Sequence, residues 1–509
     1  MGDDRARIID ASDRPSAWSA LRLRGRGEWV LLLAGFDLML LNFLLVQQAT
    51  NAFAHRELAV IVVSLAYFAG VSLGYFVSDR VTPARVRHLM PAFLVSQMAL
   101  LLGVQAVHQV VRHAGTAGAS ALGLPRELGP LAAGALVFVW LACGATALYA
   151  VFLPLAVDGS RASLRRSYSI EVAGSLAGLA VLPFLAATSR TLVVGAYFLA
   201  FLGIAAAVAG GRGRAAQVVM AVLVATFLVF HARWDASLSA FYYAREYRWT
   251  VRSVPLIRYT PYHKIEVLEL ANARALCLNG KRQFVGSIRR AYSYFVAEYP
   301  ARRLGSPTVC VLGCGSMATV GRIGGFSPRV QIVDIDPGVF EASSTYFREY
   351  NHLDQLRNWS FLADDAKHFV ATTGERFDLV LHDIPPARNR QTALTYTDEF
   401  FRLVKARLTP RGIFSISSLT PFEESEYGRR MLATLASVFE RYFALVSDGS
   451  VYFYGGGPDM AEPAAGAALL ALDPAYADGV RVLSRAEIDT AVRGARVITI
   501  GNVGDLIYE

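Results

Sequence analysis

Cysteine is scarce in this chain. Its 509 residues hold four: Cys143, Cys277, Cys310 and Cys314. None stands at metal-ligand spacing, and four in so long a chain imply no disulfide framework, so no metal is expected. Charge is sparse too, at 18% of residues against 54% hydrophobic. The formal excess of +9 is mostly arginine. No Lys/Arg cluster is interleaved with aromatics as in RNA binders. Nucleic acid is therefore set aside as a partner, in favour of charge beside a membrane. A signal peptide is not expected either. The first 28 residues are polar, with Arg5, Arg7, Arg14, Arg22, Arg24 and Arg26, and they hold the apolar stretch too far from the start.

Long apolar runs are in excess, and mean hydropathy is +0.36. Nearly all lie before residue 232. A helix needs ~20 mostly apolar residues to cross the hydrocarbon core. Segments 29–49, 57–78, 89–111, 129–157, 168–187, 190–209 and 215–232 qualify, the last being the shortest. They make a transmembrane domain over 29–232 of six or seven helices. In 170-IEVAGSLAGLAV-181, Ala173, Gly174, Ala177 and Gly178 recur at helical spacing and suit the bundle interior. Asp37 and Glu171 are acids in or near spans, where a carboxylate is costly. Each reads as an interhelical hydrogen bond near a helix end or as a functional site. No row of acids or broken-helix repeat suggests a pump.

Loops 79–88 (Arg80, Arg85, Arg87), 158–167 (Arg161, Arg165, Arg166) and 210–214 (Arg212, Arg214) are basic and mark the cytoplasmic side. Seven full spans would place the rest of the chain outside. Six, with 215–232 lying in the interface, would keep it inside, where nucleoside cofactors are made. The second arrangement is the expectation: a multi-pass protein of a bacterial inner membrane with a cytosolic catalytic domain. Residues 233–262 hold Trp234, Phe241, Tyr242, Tyr243, Tyr247, Trp249, Tyr259 and Tyr262. They read as an interfacial aromatic connector.

From 263 the periodicity changes. 263-HKIEVLELANARALCLNG-280 reads as a β-hairpin, followed by a helix over 287–300. Strands 308–313, 330–334, 359–363, 377–383 and 411–418 then alternate with helices near 316–324, 337–350, 365–373, 397–407 and 421–445. Strands near 448–455 and 495–500 close the pattern. This predicts an α/β doubly wound, Rossmann-like parallel sheet over 263–509, which binds ligands beyond the carboxyl ends of its strands. Gly313 and Gly315 permit a tight turn after the first of these strands and a close approach of ligand to backbone N–H groups. Asp334, about twenty residues on, can accept both ribose hydroxyls. A third glycine is absent, which favours a nucleoside without pyrophosphate. Asp365, or else Asp364, can accept an adenine amino group in 363-ADDAKHF-369. Asp383 ends the fourth strand, beside the reacting end of such a ligand.

These stations resemble the spermidine synthase (polyamine aminopropyltransferase) family, within the class I S-adenosylmethionine-dependent fold. The resemblance covers roughly 255–509, and is to the bacterial form fused to a multi-span membrane domain. The matching pieces are Tyr262-His263, where the family has Tyr-Gln; 278-LNGKRQF-284 with Gln283; the glycine loop; Asp334 in 332-IVDID-336; Asp365; and Asp383. By resemblance Gln283, Gly313, Gly315, Ser316, Asp334, Asp364 and Asp365 hold the nucleoside. Tyr262, His263, Arg289, Arg290 and Tyr396 meet the substrate, and Asp383 is catalytic. Three departures concern charge. Ser316 replaces a loop acid, Arg289 and Arg290 stand in 287-SIRRAYSY-294 where the family has acids, and 385-PPAR-388 lacks a second acid. Each disfavours a polycation and favours an anion.

The implied ligand is S-adenosylmethionine or its decarboxylated form. Three functions follow. The first is cleavage of the propyl chain to release 5'-methylthioadenosine, with transfer to a lipid or amine acceptor or with cyclisation. The second is methyl transfer to a lipid or membrane-delivered substrate. The third is a non-catalytic nucleoside sensor or transporter. The bilayer is the expected partner, and homodimerisation is left open.

Overall fold

The computed structural model describes residues 25–53, 56–158, 164–209, 214–286, 291–313, 315–356, 358–387, 389–418, 425–463, 468–469 and 472–505. The chain forms two units, Met1–Glu246 and Tyr247–Glu509.

Seven helices in the first unit are long and apolar enough to cross a bilayer, counted among the described residues. They are α1 (Arg26–Phe53), α2 (Arg56–Ser78), α3 (Pro83–Ala121), α4, α5 (Leu164–Thr188), α6 (Arg190–Ala209) and α7 (Arg214–Glu246). The fourth joins Leu128–Leu141 to Ala147–Asp158 through a π turn at Ala142–Thr146. Segment 215–232, read as the shortest, belongs to a helix of 33 residues. At 1.5 Å per residue it is about 50 Å long, well beyond the ~30 Å hydrocarbon core. It continues past 232 because Asp235, Ser239, Tyr242 and Tyr243 fall at helical spacing on one buried face. The expected connector 233–262 is therefore the end of α7 and an edge strand.

α1 runs through the core of this unit, with Leu31, Leu38, Leu41 and Leu44 buried. It lies tightly against α5. A Cβ at Gly35 would strike the Glu171 carbonyl, and one at Gly174 would strike the Leu32 carbonyl. Only that face of α5 is packed; Leu176, Leu179 and Phe184 point outward. Segment 170–181 is thus peripheral, and its glycines serve one contact. Asp37 is fully buried midway along α1, not near an end. It accepts a hydrogen bond from the Tyr149 hydroxyl at 2.5 Å, with the Tyr197 hydroxyl 3.4 Å beyond. Glu171 lies half-buried on α5.

The second unit opens with a four-stranded antiparallel sheet in sequential order, β1 (Val251–Tyr259), β2 (Lys264–Leu270), β3 (Arg274–Leu278) and β4 (Lys281–Val285). The expected hairpin is its centre. Ile265, Val267, Leu276 and Phe284 from this sheet pack on Val339, Ala342 and Phe347. The larger sheet has β5 (Thr308–Gly313), β6 (Arg329–Asp334), β7 (Trp359–Ala363), β8 (Phe377–Asp383), β9 (Leu408–Ser417), β10 (Arg441–Ser447), β11 (Ser450–Gly456) and β12 (Arg481–Leu483). Their order is β12-β10-β11-β9-β8-β5-β6-β7. Five strands, β7, β6, β5, β8 and β9, are parallel, and the other three are antiparallel, so the sheet is mixed. β5 and β8 are nearly continuous apolar runs because helices cover both faces.

Two assignments near the end are corrected. The helix expected over 421–445 spans Glu426–Val438 in the described part, and 441–447 is a strand. Tyr442, Phe443, Ala444 and Leu445 are all buried, and aromatic residues suit a two-faced strand. Residues 495–500 form no strand. Ile498 instead donates its N–H to Thr434 Oγ1 and accepts from the Asp398 N–H.

The glycine contact between α1 and α5 is testable. Gly174→Leu should lower the melting temperature of the full chain in lipid by several degrees. Gly195→Ala, where a Cβ meets nothing within 4 Å, should not. Equal melting of the two variants would refute the contact.

Candidate active site

The chain runs from β5 outward through β6 and β7, then returns to β8 on the other side of β5. The order reverses between β5 and β8, and ligands of such sheets bind at that crevice. Gly313 ends β5 and Asp383 ends β8, and the two are register partners. Gly313 has φ 91°, and a Cβ there would lie 2.5 Å from the Asp383 carbonyl oxygen. Only glycine fits on both counts. At Gly315 a Cβ would lie 2.5 Å from Val339 Cγ1 and 3.8 Å from Asp334 Oδ2. The turn thus passes beside the Asp334 carboxylate. Ser343 pins it by donating to the Gly315 carbonyl, and Asn351 donates to the Ser316 carbonyl at 2.8 Å. Asp364 joins the same edge, its N–H donating to the Asp334 carbonyl at 3.1 Å. One continuous rim therefore carries Asp383, Gly313, Gly315, Asp334 and Asp364.

Asp383 is held on both carboxylate oxygens. The Tyr292 hydroxyl donates to Oδ1 at 2.8 Å and the Thr319 hydroxyl to Oδ2 at 3.0 Å. Burial first, then the Asp383 charge and hydrogen bond, push the Tyr292 phenol well above its usual range. Tyr292 therefore stays a donor, and the carboxylate is fixed in orientation. Neither residue is among those expected from the sequence. Tyr292 lies within 287–294, a stretch read for its arginines, and Thr319 opens the helix after the glycine turn.

Asp334 and Asp336 differ in state. Burial pushes the Asp334 carboxyl up to about 6; the Asp336 and Asp383 charges add to this, and the Asp336 N–H and His263 oppose it. Burial also acts on Asp336, but His263, Thr260 and the Gly338 N–H outweigh it and hold that carboxyl below its usual range. Their distances to Asp336 are 2.8, 2.6 and 3.0 Å. Asp336 thereby caps the helix Pro337–Tyr346 and anchors His263 beside Asp334.

The remaining expected residues are dispersed in role. Asp365 caps the helix Ala366–Thr372, with Oδ1 accepting from the Lys367 and His368 N–H groups. Asp364 accepts from His368 Nδ1 at 2.9 Å. Ser316 Oγ accepts from the Ala318 N–H at 3.4 Å. Tyr262 lies half-buried beside His263, and Gln283 half-buried on β4. Tyr396 is buried, and its hydroxyl is directed at the Ile384 and Pro385 carbonyls, securing the loop after Asp383. His382 is buried on Thr395, and burial lowers its imidazole to about 4, so it stays neutral. Arg289 and Arg290 lie outside the described residues. Among the described residues no group of three or more His, Cys, Asp or Glu could hold a metal ion.

Residues 291–447 match the spermine/spermidine synthase domain. Curated relatives include the polyamine aminopropyltransferase of Oceanobacillus iheyensis, 26% identical over 186 residues, covering 35% of this chain and 36% of that one. The polyamine aminopropyltransferase of Leptospira interrogans is 29% identical over 219 residues, covering 40% and 42%. The chain thus spans less than half the length of these two relatives. Among solved structures, a spermidine synthase in complex with the transition-state analogue AdoDATO aligns with a TM-score of 0.39 at 14% identity, covering 51% of this chain and 87% of that one. The C-terminal unit is spermidine-synthase-like, as the motifs implied.

The raised Asp334 carboxyl predicts a pH dependence. A charged carboxylate accepts two charge-assisted bonds from a ribose diol, and a protonated one does not. Affinity for 5'-methylthioadenosine should be level at neutral pH and fall as pH drops through about 6. Asp334→Asn should bind tenfold or more weakly, with that dependence gone. Calorimetry showing wild-type affinity in this variant would remove Asp334 from the ribose.

Proposed function

We propose that the C-terminal unit is an aminopropyltransferase-type enzyme, carried by a membrane-spanning bundle. It binds an S-adenosyl sulfonium and cleaves the propyl chain, releasing 5'-methylthioadenosine. The observation that carries this is Asp383, clasped by Tyr292 and Thr319 at the strand crossing, on one rim with Asp334 and the glycine turn. The turn and Asp334 suit the nucleoside. Asp383 is then at the reacting carbon, since β8 adjoins β5 on the side away from β6.

The chemistry asks little of the protein beyond position. A sulfonium makes its attached carbons electrophilic. As a nucleophile attacks the propyl carbon, the C–S bond breaks and its electron pair returns to sulfur, leaving a neutral thioether. An attacking amine must shed a proton, and Asp383 can accept it. With both oxygens already taking hydroxyl donors, the carboxylate keeps one orientation through that transfer. The nucleophile is either a separate lipid or amine acceptor or the ligand's own carboxylate or amine, in which case the chain cyclises.

The preferred donor keeps its carboxylate and is S-adenosylmethionine itself. The support is the exchange of charge in the sequence, where Ser316, Arg289, Arg290 and 385-PPAR-388 stand in place of family acids. An arginine grips a carboxylate through two parallel hydrogen bonds, worth ~1.5–3 kcal/mol.

Two measurements bear on this reading. Asp383→Asn keeps the shape and removes the charge, so methylthioadenosine release should fall ~10²-fold with nucleoside binding retained. Normal turnover would move the chemistry elsewhere. In competition, S-adenosylmethionine should bind ~10-fold or more tightly than its decarboxylated form, with the preference lost in the Arg289→Ala, Arg290→Ala double variant. Equal or better binding of the decarboxylated form would favour a polyamine-making enzyme.

A further inference from the structure

The helical bundle has two ends, and its hydrogen bonds assign helix termini to each. At the first, Arg166 near the start of α5 donates to Glu28 near the start of α1 at 2.8 Å. At the second, Arg112 and Gln109 late in α3 meet Glu246 and the Tyr242 carbonyl, the last turns of α7, at 2.5 and 2.9 Å. Arg190, at the start of α6, lies 3.6 Å from Asp235 of α7 and donates to the Leu101 carbonyl of α3. α6 therefore begins at the second end and finishes at the first. α7 follows it directly, begins at the first end with Arg214 and leaves at the second with Glu246. It crosses the whole bundle.

Arginine is divided unequally between these ends. No lysine precedes Lys264, so arginine alone carries the positive charge of the helical unit. The first-end connections, 79–88, 158–167 and 210–214, hold eight arginines. The second-end connections, 54–56, 122–127 and 189–190, hold three, Arg56, Arg126 and Arg190, the last paired with Asp235. Short loops rich in arginine resist translocation and stay on the cytoplasmic side.

We infer that the chain beyond Glu246, and with it the catalytic unit, lies on the membrane face opposite the arginine-rich loops, outside the cytoplasm. This reverses the expectation of a cytosolic catalytic domain, which required 215–232 to stop short of crossing. One consequence rests on the proposed sulfonium chemistry. A transport step must carry the cationic nucleoside donor from the cytosol, where it is made, to that face, and the acceptor is drawn from the same side.

The test uses the full chain in intact bacterial cells. Alkaline phosphatase, which needs an oxidising compartment for its disulfides, is fused after Glu509, and a cytosol-dependent fluorescent protein is fused there separately. The phosphatase should be active and the fluorescent protein dark, and fusions placed after Gly211 should show the reverse. A second readout avoids fusions. Arg493→Cys, on the exposed surface of the second unit, should react with an impermeant maleimide in intact cells. Arg85→Cys, in a first-end loop, should react only after the membrane is opened. A fluorescent C-terminal fusion, or labelling of Arg85→Cys but not Arg493→Cys, overturns the inference, as does labelling of both or of neither in intact cells. Turnover by the purified chain is indifferent to sidedness, so a failed topology and a failed chemistry are distinguishable.

Discussion

The role proposed for Asp383 depends on a carboxylate that is held still. Tyr292 comes from the helix before β5, and Thr319 from the helix after it. Their two hydroxyls converge on a strand end that Gly313 overlies at a distance no Cβ would tolerate. Each of these depends on β5 and β8 being adjacent and in register. That adjacency depends in turn on two apolar strands buried on both faces. The mixed sheet, the reversal of strand order and the glycine turn are the means by which the Asp383 carboxylate, the Asp334 carboxylate and two hydroxyl donors are brought to one edge of the sheet.

The neighbouring acids show how position sets charge. Asp334 and Asp336 are two residues apart at the end of β6. Asp336 faces three donors and is stabilised as an anion. Asp334 is half-buried, accepts from the Asp336 N–H and has the Asp336 and Asp383 charges nearby, and its carboxyl is raised. Under the proposed function, the two hydroxyl donors of a ribose diol would favour the charged form of Asp334. His263 stands where the resemblance has glutamine, and as the donor to Asp336 it helps keep the two carboxylates unlike.

Three of the five parallel strands, β5, β6 and β8, were legible in the sequence because each is an apolar run ending in glycine or aspartate, a signal independent of context. The rim followed from the same runs: Gly313, Asp334 and Asp383 are strand ends, and strand ends converge in a doubly wound sheet. The antiparallel β10–β11 pair was blurred, since Arg441–Ser447 reads equally well as a continuation of the amphipathic helix before it. Tyr292 and Thr319 were missed because a hydroxyl on a helix carries no motif; its partner lies 91 or 64 residues away. The length of α7 was missed for a related reason. Hydropathy falls off after 232, while Asp235, Ser239 and Tyr242 continue the helix on a face that packs rather than one that meets lipid. Asp365, matched by resemblance, has a local task that the motif does not announce: its Oδ1 closes the N-terminus of its own helix.

The account stands on the bond that breaks. Purified full-length protein, incubated separately with S-adenosylmethionine and with its decarboxylated form, would release a nucleoside identifiable by mass spectrometry. The account predicts 5'-methylthioadenosine, formed faster from S-adenosylmethionine, together with an alkylated acceptor or a cyclised chain. S-adenosylhomocysteine as the product would show that the methyl group moves instead, and recovery of both ligands unchanged, with binding intact, would reduce the unit to a nucleoside-binding module.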